Sequence, residues 1–289
     1  MSADDFETLC RKAGLGARAA DLLKAARPGV VLIPEPVDLD GLPLGASRIG
    51  GTPDLPDGAK WPEWRDGPLS FIAQLNLEDL SRYPACGVLP DSGHLLFFYH
   101  AEQKTWGFDP GDQGSWQVLH APPGPPLKRV DPPRTLPDEG RFSACAISHR
   151  ERLTLPPGES PVFDALGFDE DQCEAYFELL ESLAENEELP GELGSSLLLG
   201  HPDQIQGDMQ TECALVSGGV STGDAAGWSD PRREVLEEEA PGWRLLLQVA
   251  SEEAASMMWG DLGCLYYWIH ERDLKARQFD RAWMILQCS

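Results

Sequence analysis

The chain has 289 residues, enough for one large or two medium domains with a sizeable core, so stability needs no disulfide or metal staple. Its 23 Lys and Arg against 48 Asp and Glu leave a formal charge of −25, which disfavours nucleic acid and anionic membrane as partners and would attract a basic protein. Seven widely spaced cysteines, with no Cys-x-x-Cys pair and no zinc spacing, point to reduced thiols, and an acidic N-terminus without a long apolar run predicts a soluble, cytoplasmic, untargeted protein.

The chain is read as one domain, 1–289, opened by a helical segment over 1–28. Phe6, Leu9, Cys10 and Ala13 fall at helical spacing, Ser2 with Asp5 resembles a capping signal, and Arg27-Pro28 ends the helical part. Val30–Ile33 reads as a short strand, followed by a Pro/Gly-rich stretch to Gly67 in which regular elements are not expected. Leu69–Leu75 is a strand candidate, Asn76–Leu80 a capped helical turn, and His94–Tyr99 a buried aromatic strand. Trp106–Leu119 suggests a further hairpin, and Ala121–Pro137 is a proline-rich connector that no central strand would tolerate. The clearest helix is Phe168–Ala184, where Cys173, Tyr176, Phe177, Leu180 and Leu183 make an apolar face opposite a row of glutamates; Asp169 with Gln172 caps its start and Pro190-Gly191 lies past its end. A Gly-rich loop at 217–227 precedes the densest apolar stretch, Trp243–Ala250 and Trp259–Ile269.

The two ends of the chain share an order of short words. Gly51-Thr-Pro-Asp54, Phe71-Ile-Ala-Gln74-Leu and Gly93-His-Leu-Leu-Phe97 are echoed by Gly200-His-Pro-Asp203, Leu245-Leu-Leu-Gln248-Val and Gly263-Cys-Leu-Tyr-Tyr267. This predicts two pseudo-repeated halves, about 30–140 and 195–289, sharing one core, with like strands meeting near an axis and Gln74 and Gln248 close together. Buried glutamine amides need partners, and holding turns through backbone groups is the role expected of these two. The resulting fold class is α+β, a mainly antiparallel sheet with a few helices.

Ile49-Gly-Gly-Thr-Pro-Asp-Leu-Pro56, Trp61-Pro62, Phe71–Leu77, Leu199-Gly-His-Pro-Asp203, Met258-Trp-Gly-Asp261, Leu265–Ile269 and Ile285–Cys288 together resemble the YwqG-like family of bacterial cytoplasmic proteins of unknown function. The resemblance implies an α+β fold and brings no reaction or cofactor; relatives found near polymorphic toxin systems suggest an immunity-type inhibitor for some members. Loops 100–140 and 207–240 carry none of it.

Chemistry is sparse. Gly219-Val-Ser221-Thr-Gly223 has the letters of a nucleophile elbow without the strand before and the helix after that would expose Ser221 on a sharp turn. His94, His100 and Cys86 do not match a ligand pattern, Cys264 and Cys288 read as packing residues, and neither Gly-Gly pair opens a helix to cradle phosphate. No catalytic residue, metal site or cofactor is therefore assigned. The candidates for ligand contact are Asp54, Gln74, Asp203, Gln248, Trp259 and Asp261, polar or aromatic exceptions in the repeated words. A noncatalytic protein-binding module of the immunity or inhibitor type is the favoured function. The alternative is a small-molecule binder or enzyme with its site between the two halves.

Overall fold

The computed structural model describes residues 3–65, 67–100, 102–185 and 195–289. Helices α1 (Ala3–Lys12) and α2 (Ala19–Ala25) lead into β1 (Arg27–Pro36), β2 (Arg48–Ile49), β3 (Asp54–Pro56), the small hairpin β4 (Glu63–Trp64) and β5 (Gly67–Pro68), and β6 (Ser70–Asn76). Then come α3 (Leu77–Leu80), β7 (His94–Tyr99), β8 (Trp116–Ala121), β9 (Leu127–Arg129) and β10 (Cys145–Thr154), followed by α4 (Pro161–Asp164) and α5 (Glu170–Glu185). The remainder is β11 (Ser196–Leu199), α6 (Met209–Ser217), α7 (Ala225–Trp228), α8 (Arg233–Glu237), β12 (Trp243–Ala250), β13 (Cys264–His270), α9 (Glu271–Lys275) and β14 (Trp283–Gln287). Ser2 and Pro190-Gly191, expected to cap and to end helices, lie outside the described residues.

Ten strands form one antiparallel sheet in the order β14-β13-β12-β11-β1-β10-β2-β6-β7-β8, which makes the chain an α+β protein. The longest pairing, β1 with β10, lies at its centre and runs from Arg27 opposite Thr154 to Pro36 opposite Cys145. β1 carries three prolines, yet its second partner, β11, pairs only with Gly29–Leu32, the stretch between them. The prolines thus sit where one side of the strand makes no ladder, as a missing N–H requires.

The sheet curls until its two ends meet. Trp116 of β8 donates its indole N–H to the Ala282 carbonyl at 2.8 Å, and its ring lies 4.8 Å from that of Trp283. Phe97 of β7 and Tyr267 of β13 stack edge to face at 5.1 Å. The enclosed face holds the main core, to which β12 and β13 contribute the run Leu245–Leu247 and Leu265–Ile269, all essentially inaccessible to water. A separate cluster under α1, α2 and α5 gathers Phe6, Cys10, Leu22, Tyr176 and Leu179. α5 starts with the expected reciprocal cap, Gln172 N–H to Asp169 Oδ1 at 2.9 Å and Asp169 N–H to Gln172 Oε1 at 3.3 Å.

Two parts depart from the sequence expectation. The Pro/Gly-rich stretch before Gly67, where regular elements are not expected, holds the short strands β2, β3 and β4. Trp106–Leu119 supplies one strand, β8, which pairs with β7 instead of forming its own hairpin. The proline-rich connector adds no strand of its own to the main sheet, as expected; its β9, three residues without a proline, pairs with β3 in a small separate sheet. β10 shows no apolar alternation because Ser148-His-Arg-Glu-Arg152 places polar side chains on both faces; its strand geometry is imposed by its neighbours.

Candidate functional site

Each predicted glutamine closes a turn. Gln74 Oε1 accepts the Asp54 N–H at 2.8 Å while its Nε2 donates to the Ala46 carbonyl at 3.1 Å. Gln248 Oε1 accepts the Asp203 N–H at 2.9 Å while its Nε2 donates to the Ser195 carbonyl at 2.7 Å. Both side chains are fully buried, and the bonds fix the Pro-Asp words against β6 and β12. The two glutamines are not neighbours, contrary to expectation: β2, β10, β1 and β11 lie between β6 and β12, because the central pair is β1 with β10.

Asp54 is wholly buried between two guanidinium groups, Arg48 Nη1 at 2.9 Å from Oδ2 and Arg129 Nε at 2.9 Å from Oδ1, and also accepts the Gly45 N–H at 2.8 Å. Burial pushes its pKa up, but the bonds from Arg129, Arg48 and Gly45 together with the Arg48 charge outweigh this and bring it down to about 2. Both carboxylate oxygens are bonded within the chain, so Asp54 ties Arg48, Arg129 and the Gly45 turn together. Asp203 is more open, 35% exposed, and Arg152 Nη2 reaches both its oxygens at 2.8 Å. Trp259 is buried against Tyr99 and Phe142, and Asp261 is exposed on a turn whose carbonyl accepts the Ser289 N–H. The six candidates therefore occupy several separate places.

Ser221 follows helix α6 and not a strand, so the elbow geometry is absent around it. His94 bonds the Gly45 carbonyl and His100 packs on the Trp64 ring. Cys86 is buried, and burial with the nearby Glu151 raises its thiol to about 12, far from a reactive thiolate. Among the described residues no three His, Cys, Asp or Glu side chains gather as metal ligands.

A cleft of about 590 Å³ opens where the sequence was least informative, between β14, helix α6 and the loop 106–108. Gly107 makes this loop fit. With φ +90° it brings its Cα so near β14 that a Cβ would stand 1.9 Å from the Met284 carbonyl oxygen. The Leu286 N–H donates to the Trp106 carbonyl at 3.0 Å, and the Trp283 indole to the Gly107 carbonyl at 2.7 Å. Trp106 and Phe108 are thereby held as one wall, while Trp228, 69% exposed at the end of α7, stands on the rim with the Arg233 guanidinium 4.9 Å from its ring centre.

The floor is acidic. Asp208 caps α6, accepting the Gln210 and Thr211 N–H groups at 2.8 and 3.2 Å. Glu212 accepts the Thr222 hydroxyl at 2.8 Å, and the Thr222 N–H in turn donates to the Phe108 carbonyl at 2.9 Å, tying floor to wall. Burial raises the pKa of both carboxyls, opposed in Asp208 by its cap bonds and in Glu212 by Thr222. Gln287 completes one corner by accepting the Ile205 and Gln206 N–H groups and donating to the Gly207 carbonyl. Aromatic walls around desolvated carboxylates make a surface that favours cations. The signal in the sequence was slight: Asp208 ahead of a helix, and aromatics split between the loop at 106–108 and the distant end of α7.

Comparison with curated proteins finds no match. The model of one family, a domain of unknown function (DUF1963), matches residues 47–288, the sheet from β2 onward and the whole of the cleft. The chain belongs to the DUF1963 family.

Proposed function

We propose that the chain is a noncatalytic binding module of the YwqG-like kind, working in the cytoplasm, whose cleft receives a basic protein partner. The observation that carries this reading is the cleft itself, in which Trp106, Phe108 and Trp228 surround the carboxylates of Asp208 and Glu212. A net charge of −25 speeds the approach of a basic partner, and aromatic side chains are the residues that anchor protein interfaces. An inhibitor of a basic, toxin-like protein fits both properties and the family resemblance. Affinity purification from native lysate should return a basic protein in stoichiometric amount, released as ionic strength rises well above about 0.15 M. Recovery of a tightly bound metabolite and no protein would sink the reading.

The same reading takes the two halves of the sheet as a duplicated unit. Supporting it, strand β6 bulges between Phe71 and Ala73 in its pairing with β7, and β12 bulges between Leu245 and Leu247 in its pairing with β13. Arg48 lies opposite Gln74 across β2 and β6, as Leu197 lies opposite Gln248 across β11 and β12. Left-handed backbone recurs at Gly50-Gly51 and Leu199-Gly200, just before each Pro-Asp word. On this view the cleft belongs to what the second copy acquired in place of β3–β5 and β9.

A second reading, a small organic cation in the same cleft, is favoured by its volume, which falls in the range of small-molecule sites. Stabilisation in a thermal-shift screen of amines would support it, and no shift at high excess would leave it without support.

A further inference from the structure

Glu212 is a carboxylate drawn out of bulk water without a counter-ion. It lies one helical turn from Asp208, whose negative charge adds to the effect of burial, and the described residues give it one hydrogen bond, from Thr222. Asp208 is committed to the α6 cap. Arg233, the arginine on the same cleft, is paired with Glu237 at 2.8 Å and lies over Trp228. Among the described residues no lysine or arginine forms an ion pair with Glu212. A partly buried, unpaired charge is costly to keep, and such groups concentrate where a ligand supplies the missing charge.

The surroundings narrow what that ligand is. A phosphate or carboxylate would meet two carboxylates of like charge. A metal ion would find too few donors, since no cluster of three acidic, His or Cys side chains exists among the described residues. A guanidinium or ammonium group can lie against the aromatic faces while donating to Glu212, and a long aliphatic stem suits the apolar entrance formed by Phe108 and Trp228.

We propose that the cleft is a receptor for one basic side chain of the partner, with Glu212 as its counter-ion and Trp106, Phe108 and Trp228 as its walls. This rests on the reading of the chain as a module for a basic protein. The carboxylate sets the sign of the charge accepted, and the rim aromatics bury the stem. The partner's remaining positive charge would be drawn by the acidic surface at large.

The test is a titration of the full chain, followed by indole fluorescence, with a blocked, unstructured pentapeptide carrying one central arginine. The same peptide with citrulline, which keeps the shape and loses the charge, is the control. Saturable binding is expected for the arginine peptide, weaker by about tenfold or more for the citrulline peptide and for the Glu212→Gln chain. Trp228→Ala, on the exposed rim and removed from the core, should also weaken it. Glu212→Gln retains an acceptor for Thr222 and removes a desolvated charge, so it should fold with a Tm no lower than the parent, and a loss of binding is then a property of the cleft. Equal binding of the two peptides, undiminished binding by Glu212→Gln, or no binding by the parent chain at millimolar peptide would each overturn the proposal. A basic protein captured equally by the parent and Glu212→Gln would overturn this site and leave the binding-module reading intact. Arginine-peptide binding through Glu212 with no basic protein captured would overturn that reading instead.

Discussion

Asp54 and Glu212 are two carboxylates removed from water with opposite outcomes. Asp54 has Arg48 and Arg129 at 2.9 Å and a folded pKa of about 2, below its ordinary 3.8. The unfolded chain therefore binds the proton more tightly, and the stability from this group, on the order of 2 kcal/mol, is present above about pH 4 and lost as pH falls toward 2. His201 adds to acid sensitivity. Burial, opposed by its bond to the Ala25 carbonyl, lowers its pKa to about 4, so its contribution fades between the ordinary 6.5 and 4. Urea titrations should show a midpoint falling continuously from about pH 6.5 to pH 2; a flat profile over that range would contradict both assignments. Asp54→Asn leaves the wholly buried Arg48 without its counter-charge and is expected to cost about 3–5 kcal/mol in the same assay. For Glu212 the sign reverses: its raised pKa means stability present below the carboxylate range and lost above it, so Glu212→Gln should gain stability at neutral pH and lose that advantage in acid.

At the scale of elements, what makes the site is the way one short loop lies against an edge strand. Gly107→Ala would drive a methyl into the Met284 carbonyl and strain a left-handed backbone, lifting the loop from β14. A loss of about 2–4 kcal/mol is expected, with a change in Trp106 emission; an unchanged Tm and spectrum would show that the loop is held otherwise. Gln74→Leu and Gln248→Leu each orphan an aspartate N–H and a carbonyl, and should each cost on the order of 1–3 kcal/mol in denaturant midpoint; full stability would argue against the turn-holding role. These turns were legible in the sequence because glutamine in an apolar strand is a local anomaly. Helix α5, strand β7 and the capped turn at Asn76 were legible for the same reason, since period, cap and length are all local. β10 and the cleft were not. A strand polar on both faces is set by its partners, and a cleft assembled from residues near 106, 212, 228 and 286 has no local signature.

For the whole molecule, the central β1–β10 pair spaces the two repeated words apart, while the curl of the sheet brings β7 and β8 onto β13 and β14. That curl carries the loop after β7 across to β14, so the cleft is built from both halves of the chain though its floor lies in the second. On the proposed reading, the net charge of −25 would supply long-range attraction for a basic partner and the cleft the local fit, charge governing encounter and buried contacts governing retention. The nine indole N–H groups allow this to be tested in place. In an ¹H–¹⁵N correlation spectrum recorded during titration with the arginine peptide, the Trp106 and Trp228 signals should move together and saturate in the parent chain and need about tenfold or more peptide to move as far in Glu212→Gln. Shifts confined to Trp243, Trp259 or Trp268, or indole signals that respond alike in both chains, would contradict the account.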